Sequence, residues 1–150
     1  MYIIMIIIII KEVIMKKFSK QRELILENVR NRCDHPTAET LYEDVKKEMP
    51  ELGIATVYRN LAELCKEGTI IKVKSAMGPD HYDANLNPHF HFLCESCGKV
   101  EDIFMEFDLI QAVESMKAYV SKNLGAKMNG SHVAIHGVCQ ECLPKQNDKN

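Results

Sequence analysis

Three segments in the first half of the chain repeat their apolar residues at the spacing of an amphipathic helix. They are residues 16–32, 37–49 and 54–68. Ser19 and Thr37 stand at N-cap positions of the first two, and Gly68 stands at the C-cap position of the third. Pro36 and Pro50 separate the segments, because a proline disfavours helical geometry in the residue before it. The first half is therefore predicted to contain three helices.

A short alternating segment follows the third helix. Residues 69–74, TIIKVK, alternate as a half-buried strand does, and residues 75–79 turn the chain before the extended residues 81–83. Three helices followed by a two-stranded ribbon are typical of a winged helix-turn-helix domain. In such a domain the third helix lies in the major groove of DNA, with its N-terminal residues near base edges.

The second half of the chain has the sequence pattern of mixed strands and helix rather than of helices alone. Residues 89–94 and 99–104 are expected to be strands, residues 106–123 an amphipathic helix, and residues 126–138 one or two further strands. This order predicts an α+β domain in which the helix covers one face of a small sheet. The uncovered face or edge must be hidden, and pairing with a second copy of the chain would hide it, so a homodimer is expected.

The predicted boundaries divide the chain into five parts. They are an apolar N-terminal extension at 1–15, a winged-helix DNA-binding domain at 16–84, a hinge at 85–88, a dimerisation and metal-binding domain at 89–145 and a tail at 146–150. The apolar run Tyr2–Ile10 is about half of what a membrane span requires, and it lacks the flanks of a secretory signal. We expect Met15 to be the natural first residue, and we expect no membrane partner and a cytoplasmic protein.

The net charge of −2 indicates no strong polyanion-binding or cationic character over the whole chain. Lys and Arg exceed Asp and Glu by one over residues 15–80, whereas acidic residues prevail by three over residues 81–150. The first half is therefore the better candidate for contact with nucleic acid, although the excess is weak evidence without a clustered basic face.

Four of the six cysteines form two Cys-x-x-Cys pairs, Cys94/Cys97 and Cys139/Cys142. Two such pairs supply the four thiolates of a closed tetrahedral zinc site, which has no open position for chemistry. Disulfides are disfavoured because no signal peptide indicates an oxidising compartment, and redox dithiols because neither pair opens a helix after a strand. A structural zinc site is predicted, and Cys33 and Cys65 are expected to be packing residues.

A second set of metal-ligand residues surrounds the first pair of cysteines. His89 and His91 lie on one side of a strand by its period of two, near Asp83 and Asp102. This mixed nitrogen and oxygen set favours Fe(II), Mn(II) or Zn(II) over Mg(II). The pattern leaves His35 open between a ligand, a helix-cap role and plain exposure. His81, His132 and His136 are interpreted as ordinary histidines.

The start of the third helix carries candidate base-reading side chains. Thr56, Tyr58, Arg59 and Asn60 offer a methyl group, an aromatic ring, a guanidinium and an amide. Arginine reads guanine and apolar groups pack on the thymine methyl, so the set fits base readout. A solvated helix face carries similar residues, and the pattern does not decide between the two.

Four motifs together resemble the ferric uptake regulator family of metal-responsive bacterial repressors. They are HPTAETLY at 35–42, GIATVYRNL at 53–61, HFHFLCESCGKVED at 89–102 and GVCQEC at 137–142. The resemblance covers residues 16–145 in one collinear order. It implies a repressor that binds double-stranded promoter DNA as a homodimer, with a structural Zn(2+), a regulatory Fe(2+) or Mn(2+) and no organic cofactor.

Within that family the chain resembles the peroxide-sensing branch. The resemblance implies that His35, Asp83, His89, His91 and Asp102 hold the regulatory metal. The iron-responsive branch usually has glutamates where Asp83 and Asp102 stand. Glu101 adjoins Asp102, and a shift of one residue would restore a glutamate ligand.

The resemblance also implies how such a protein responds. Peroxide acting on bound Fe(II) is expected to oxidise His35 and His89, which releases the DNA. By the same analogy Tyr58 and Arg59 touch bases, and Lys17 reaches the DNA backbone or minor groove.

Two other functions are distinguishable. An iron- or other metal-status sensor of the same family would release DNA on metal removal but not on exposure to peroxide. An oxygenase built on two histidines and a carboxylate would need room for a co-substrate, which five protein ligands do not leave. We therefore expect a regulator and not an enzyme.

Overall fold

A computed structural model describes residue 10 and residues 20–75, 78–104, 106–128 and 133–144. Lys17, Ser19, His132 and all of the N-terminal extension except Ile10 lie outside the described residues. The chain divides into two compact units. The first comprises Met1–Lys72 and Pro79–Leu86, and the second comprises Val73–Gly78 and Asn87–Asn150.

Three helices form the body of the first unit. Helix α1 spans residues 20–30, α2 spans Ala38–Glu48 and α3 spans Ile54–Lys66. Thr37 caps α2 as predicted, since its hydroxyl accepts a hydrogen bond from the backbone N–H of Thr40 at 3.2 Å. Helix α3 ends at Lys66 with Glu67 as its C-cap residue, one position before the predicted Gly68. Gly68 follows with a φ of +71°, a left-handed conformation that glycine adopts without a steric penalty.

The core of the first unit lies where these helices meet. The fully buried side chains come from one face of each helix: Ile25, Val29, Leu41, Val45, Val57, Leu61 and Leu64. Cys65 packs against this core as predicted. Cys33 is exposed, so the prediction that it packs in the interior is wrong. It lies in the turn after α1, beyond the last apolar contact of that helix.

A two-stranded sheet completes the winged helix-turn-helix arrangement. Strand β1 spans Ile71–Val73 and β2 spans His81–Asp83. Tyr82 is buried in the core of the first unit. Its backbone N–H donates to the carbonyl oxygen of Pro36 at 3.0 Å, which fixes β2 beside the start of α2.

The second unit contains a three-stranded sheet. Strands β3 (His89–Cys94), β4 (Val100–Phe104) and β5 (Ala134–Gly137) lie in the order β4-β3-β5. β4 is antiparallel to β3 and β5 is parallel to it. Helix α4, Phe107–Leu124, lies between β4 and β5 along the chain and ends at Gly125 with φ +62°. The α+β fold of a winged helix followed by a small sheet domain is therefore confirmed.

Helix α4 does not cover the sheet as its amphipathic pattern predicts. Among its side chains only Val113 is buried, while Phe107, Met116, Tyr119 and Leu124 are 64 to 75% exposed. The periodicity of an amphipathic helix indicates that one of its faces is apolar and packs against another apolar surface. It does not indicate whether that surface belongs to the same chain. The described residues include no helix with the length and apolar character needed to cross a membrane.

Candidate metal centres

The four paired cysteines converge at one end of the sheet. Cys94 is the last residue of β3, and Cys139 and Cys142 follow β5. The parallel pairing of β3 with β5 sets Cys94 opposite Gly137, and the N–H of Glu95 donates to the Gly137 carbonyl at 2.8 Å. The sulfurs of the four cysteines lie within 4.8 Å of one another.

The spacing of these sulfurs fits a tetrahedral zinc ion. Four sulfurs about 2.3 Å from a central zinc lie roughly 3.8 Å apart. The Sγ atoms of Cys97 and Cys139 are 3.8 Å apart. Three of the four cysteines are buried, and Cys97 alone among them is exposed. The predicted four-cysteine set is thus assembled, and its donors fit structural Zn(2+).

Hydrogen bonds within the cluster give its thiols different pKa values. The backbone N–H of Cys139 donates to Cys94 Sγ at 3.3 Å and lowers the pKa of the Cys94 thiol to about 6. The neighbouring Cys139 sulfur raises the pKa of Cys142 to about 12. A divalent cation is needed to hold four thiolates together, because each ionised sulfur opposes ionisation of the next.

A second cluster lies on β3 and β4 of the same unit. The Nε2 atoms of His89 and His91 are 3.0 Å apart. Asp102 Oδ1 lies 3.3 Å from His89 Nε2 and 3.5 Å from His91 Nε2. Both imidazoles are buried and the carboxylate is 22% exposed. Antiparallel pairing sets His91 opposite Asp102, which explains why three side chains from two strands meet at one point.

The tautomer of His89 suits a metal ligand. Its Nδ1 lies 2.7 Å from the carbonyl oxygen of Asn87, and a carbonyl oxygen can only accept, so Nδ1 carries the proton. The Nε2 atom then presents a lone pair to the cluster. A hydrogen bond from the second ring nitrogen is the usual way in which a protein orients a histidine ligand.

Glu101 faces away from this cluster. It pairs with Phe92 across the sheet, and Lys99 Nζ lies 2.6 Å from its carboxylate. Adjacent residues of a strand point to opposite faces, so Asp102 and not Glu101 accompanies the histidines.

His35 and Asp83 lie in the first unit, and each offers a ligand atom within 4.8 Å of the other. Both residues are buried. His35 has φ +49°, a left-handed conformation that histidine adopts more readily than most residues but still at some cost. Asp83 Oδ1 accepts a hydrogen bond from the Asn85 backbone N–H at 2.8 Å.

Sequence reasoning treated His81 as an ordinary histidine, yet it holds the turn that carries His35. His81 Nδ1 donates to the His35 carbonyl oxygen at 2.6 Å, and residues Thr37 and His81 form an isolated β-bridge. The hydrogen bond joins residues 46 positions apart in the chain. The single signal that could have found His81 is its place at the start of β2, two residues before Asp83.

The candidate DNA-reading residues of α3 divide into two groups. Tyr58 and Arg59 are exposed and Thr56 is half-buried. Asn60 is 4% exposed, and its amide donates to the Thr56 carbonyl oxygen at 2.8 Å. Asn60 is therefore buried with its amide bonded to a backbone carbonyl one turn earlier, and its contact with DNA stays a prediction.

Comparison with known proteins agrees with the motifs. The model of the ferric uptake regulator family matches residues 15–136. The chain is 33% identical to the peroxide operon regulator of Bacillus subtilis over 131 residues, which cover 87% of each protein. It is 38% identical to the ferric uptake regulation protein of Campylobacter jejuni over 130 residues, covering 84% of this chain and 79% of that one.

The fold has solved counterparts. The crystal structure of the Campylobacter jejuni peroxide stress regulator superposes with a TM-score of 0.73 at 28% identity, and the match covers 90% of this chain and 98% of that one. Family match, relatives and fold agree over nearly the whole chain, so this protein belongs to the ferric uptake regulator family and is a metal-responsive transcriptional regulator.

Proposed function

We propose that this protein represses transcription by binding promoter DNA as a metal-loaded homodimer, and that it senses peroxide through oxidation of histidine ligands. The observation that carries the proposal is the convergence of His89, His91 and Asp102 on one point. Two nitrogens about 2.1 Å from one ion and at right angles to each other lie roughly 3.0 Å apart. The two Nε2 atoms have that separation.

His35 and Asp83 complete the ligand set in this proposal. Three ligands from the second unit leave coordination positions to fill, and Fe(II) and Mn(II) favour such mixed nitrogen and oxygen sets. A buried carboxylate and a buried imidazole on the first unit supply the same donor types. A metal held by all five residues would favour the form of the protein that binds DNA.

His35 and His89 are the proposed sites of oxidation. With Fe(II) in the site, one oxygen of peroxide would add to an imidazole carbon of His35 or His89, and the other oxygen would leave as water. Mn(II) would be held by the same residues without supplying this chemistry. The hydrogen bond from His89 Nδ1 to the Asn87 carbonyl oxygen orients the His89 ring towards the cluster. Loss of an imidazole donor weakens metal binding and releases the DNA.

Dimerisation is supported by the exposed apolar surface of the second unit. Four large side chains of α4, together with Phe104 on β4 and Ile135 on β5, are 47 to 75% exposed. Isolated apolar side chains are common on protein surfaces, but this many on one small unit mark an interaction surface. A two-fold pair would place two copies of α3 against half-sites about one helical turn of DNA apart.

The test combines DNA binding with peptide mass. Affinity for a promoter duplex is measured with Mn(II), with Fe(II), and with Fe(II) plus low peroxide, for wild type and for Asp102→Glu. We expect binding with either metal, loss of binding when peroxide meets the Fe(II) form, and one added oxygen on the peptides that carry His35 or His89. Peroxide release without added oxygen on either peptide would refute the oxidation route.

A second function of the same class is a metal-status sensor. The observation that favours it is the 38% identity to a protein named for ferric uptake regulation, a higher figure than the 33% identity to the peroxide operon regulator. Under this alternative DNA is released when metal is removed, and the Fe(II) form keeps its DNA in peroxide. The aspartates at 83 and 102 favour the peroxide sensor, since the iron-responsive branch usually carries glutamates there.

A further inference from the structure

The exposed start of α3 carries a tyrosine whose hydroxyl has a defined partner. The Tyr58 O–H donates to Glu39 Oε1, which belongs to the first turn of α2. Tyr58 remains 45% exposed, and Glu39 is exposed as well. The hydrogen bond therefore fixes the outer end of a ring that would otherwise turn freely in solvent.

Glu39 is an unusual residue for a surface that faces DNA. Glu39 takes part in none of the ion pairs between described residues. The hydrogen bond from Tyr58 lowers the pKa of the Glu39 carboxyl, so the group is ionised at neutral pH. A carboxylate near a polyanion opposes binding to any DNA sequence.

We propose that Glu39 is a specificity-determining residue for DNA recognition: it holds the Tyr58 ring in its base-reading orientation and disfavours duplexes that do not use that ring. The inference rests on the proposed DNA-binding function of α3. Ordering a free side chain on binding costs affinity, and a ring that is already fixed avoids that cost. The benefit applies where the ring meets a matching base, whereas the repulsion from the carboxylate applies to every duplex.

The alternative role for the pair is structural, since it also joins α2 to α3. The two roles differ in what they change. A contact that only joins the helices alters the free energy of unfolding and leaves the ratio of affinities for matching and non-matching DNA unchanged. A specificity residue changes that ratio while the fold stays intact.

The experiment uses the full chain loaded with Mn(II). One probe is a duplex of about 30 base pairs obtained by selection in vitro with the wild-type protein, long enough for two half-sites. The other is a scrambled duplex of the same length and composition. The variants are Glu39→Ala, Glu39→Gln, Tyr58→Phe, the double variant Glu39→Ala/Tyr58→Phe, and Glu43→Ala. Glu43 is the matched control, because it is an exposed glutamate one turn later on α2 with no described partner.

We expect Glu39→Ala to lose affinity for the selected duplex about three- to tenfold, the usual cost of ordering one side chain. Its affinity for the scrambled duplex is expected to stay equal or rise, because a negative charge is gone. Tyr58→Phe should lower the affinity for the selected duplex by a similar factor, and the double variant should lose no more than either single one. Glu39→Gln should keep the tighter binding to the selected duplex, since the amide oxygen accepts the same hydrogen bond.

Three results would overturn the inference. Glu39→Ala could keep the wild-type ratio of the two affinities, or the losses of the two single variants could add in the double variant. A change in the ratio for Glu43→Ala equal to that for Glu39→Ala would also overturn it, since charge alone would then be the cause. If selection with the wild-type protein yields no preferred duplex, the proposed DNA-binding function fails first and this inference fails with it.

Discussion

The first unit buries aliphatic side chains from three helices, whereas the second unit buries cysteines and histidines and leaves much of its apolar surface exposed. Leu41, Leu61 and Leu64 are at most 1% exposed in the first. In the second, Cys94, Cys139 and Cys142 form a buried cluster, and α4 exposes its largest side chains. We therefore expect apolar packing to stabilise the first unit, and a metal ion together with the proposed partner surface to stabilise the second.

Removing the zinc site should have the largest effect and should act on the second unit alone. In Cys142→Ser the fourth thiolate is lost, and structural zinc contributes about 10 to 16 kcal/mol in small zinc-dependent folds. We expect zinc content to fall well below one ion per chain and the amides of β3 and β5 to lose protection from hydrogen exchange. Helices α1 to α3 should keep theirs.

Cys33→Ser is the matched control for that variant, because Cys33 is exposed and takes no part in the four-cysteine cluster. It should keep wild-type zinc content. Retention of a full zinc equivalent and of protected β3 amides by Cys142→Ser would contradict the dependence of the second unit on its ion.

A core substitution in the first unit should produce the opposite pattern. Leu61 is fully buried, and truncating such a leucine costs about 2 to 5 kcal/mol because a cavity remains. Leu61→Ala should weaken hydrogen-exchange protection in α1 to α3 and leave zinc content unchanged. Lys66→Ala, on the exposed side of the same helix, should change stability by no more than about 0.5 kcal/mol. Zinc loss in Leu61→Ala would show that the two units do not depend on separate interactions.

The sequence predicted most of the helices and strands of both units, because caps, prolines and apolar periodicity act locally. The burial of Asn60 was not predicted, since residue type alone does not reveal that its amide bonds the Thr56 carbonyl oxygen. The exposure of α4 was also missed, because the pattern shows an apolar face without showing which chain covers it. The exposure of α4 depends on surroundings that a short stretch of sequence does not contain.

The two candidate metal sites were predictable to different degrees, because one is defined by local spacing and the other by contacts between distant residues. The four cysteines carry their own spacing, which is specific to zinc. His35 is decided by contacts between distant residues: the His81 ring bonds its carbonyl oxygen, and Tyr82 bonds that of Pro36. Periodicity cannot anticipate such a contact, and resemblance to a family was needed to include His35 in the ligand set.

The histidine and aspartate cluster offers a test of intermediate size within the second unit. Asp102→Ala removes an oxygen that lies near both imidazoles, and we expect Mn(II) affinity of the zinc-loaded protein to fall at least about tenfold, the range reported even for residues that only orient a ligand. Titration followed by electron paramagnetic resonance of free Mn(II) measures this. Glu101→Ala is the control, since Glu101 faces Lys99 and should leave the affinity unchanged. Equal losses in both variants would refute the assignment of Asp102.

The substitution with the smallest expected effect, Arg32→Ala, tests whether charged side chains contribute to the stability of the first unit. Arg32 bonds Asp34 in the turn that leads to His35, and it also bonds Asp44 on α2. The hydrogen bond from Arg32 lowers the pKa of Asp34, and Lys47 with Arg32 lowers the pKa of Asp44. A carboxyl whose pKa is lowered by folding stabilises the fold above its unfolded pKa, about 4, and loses that contribution as the pH falls through the folded value. Arg32→Ala should therefore cost at most about 1 kcal/mol near neutral pH, as exposed pairs do, and the deficit should shrink towards zero below pH of about 4.

Native-state hydrogen exchange of α1 and α2 measures the deficit in the first unit alone, with Arg30→Ala, an exposed arginine without a described partner, as the control. A deficit that does not change with pH would assign the role of Arg32 to packing of its alkyl chain, and the first unit would then rely on apolar contacts even at its charged turn.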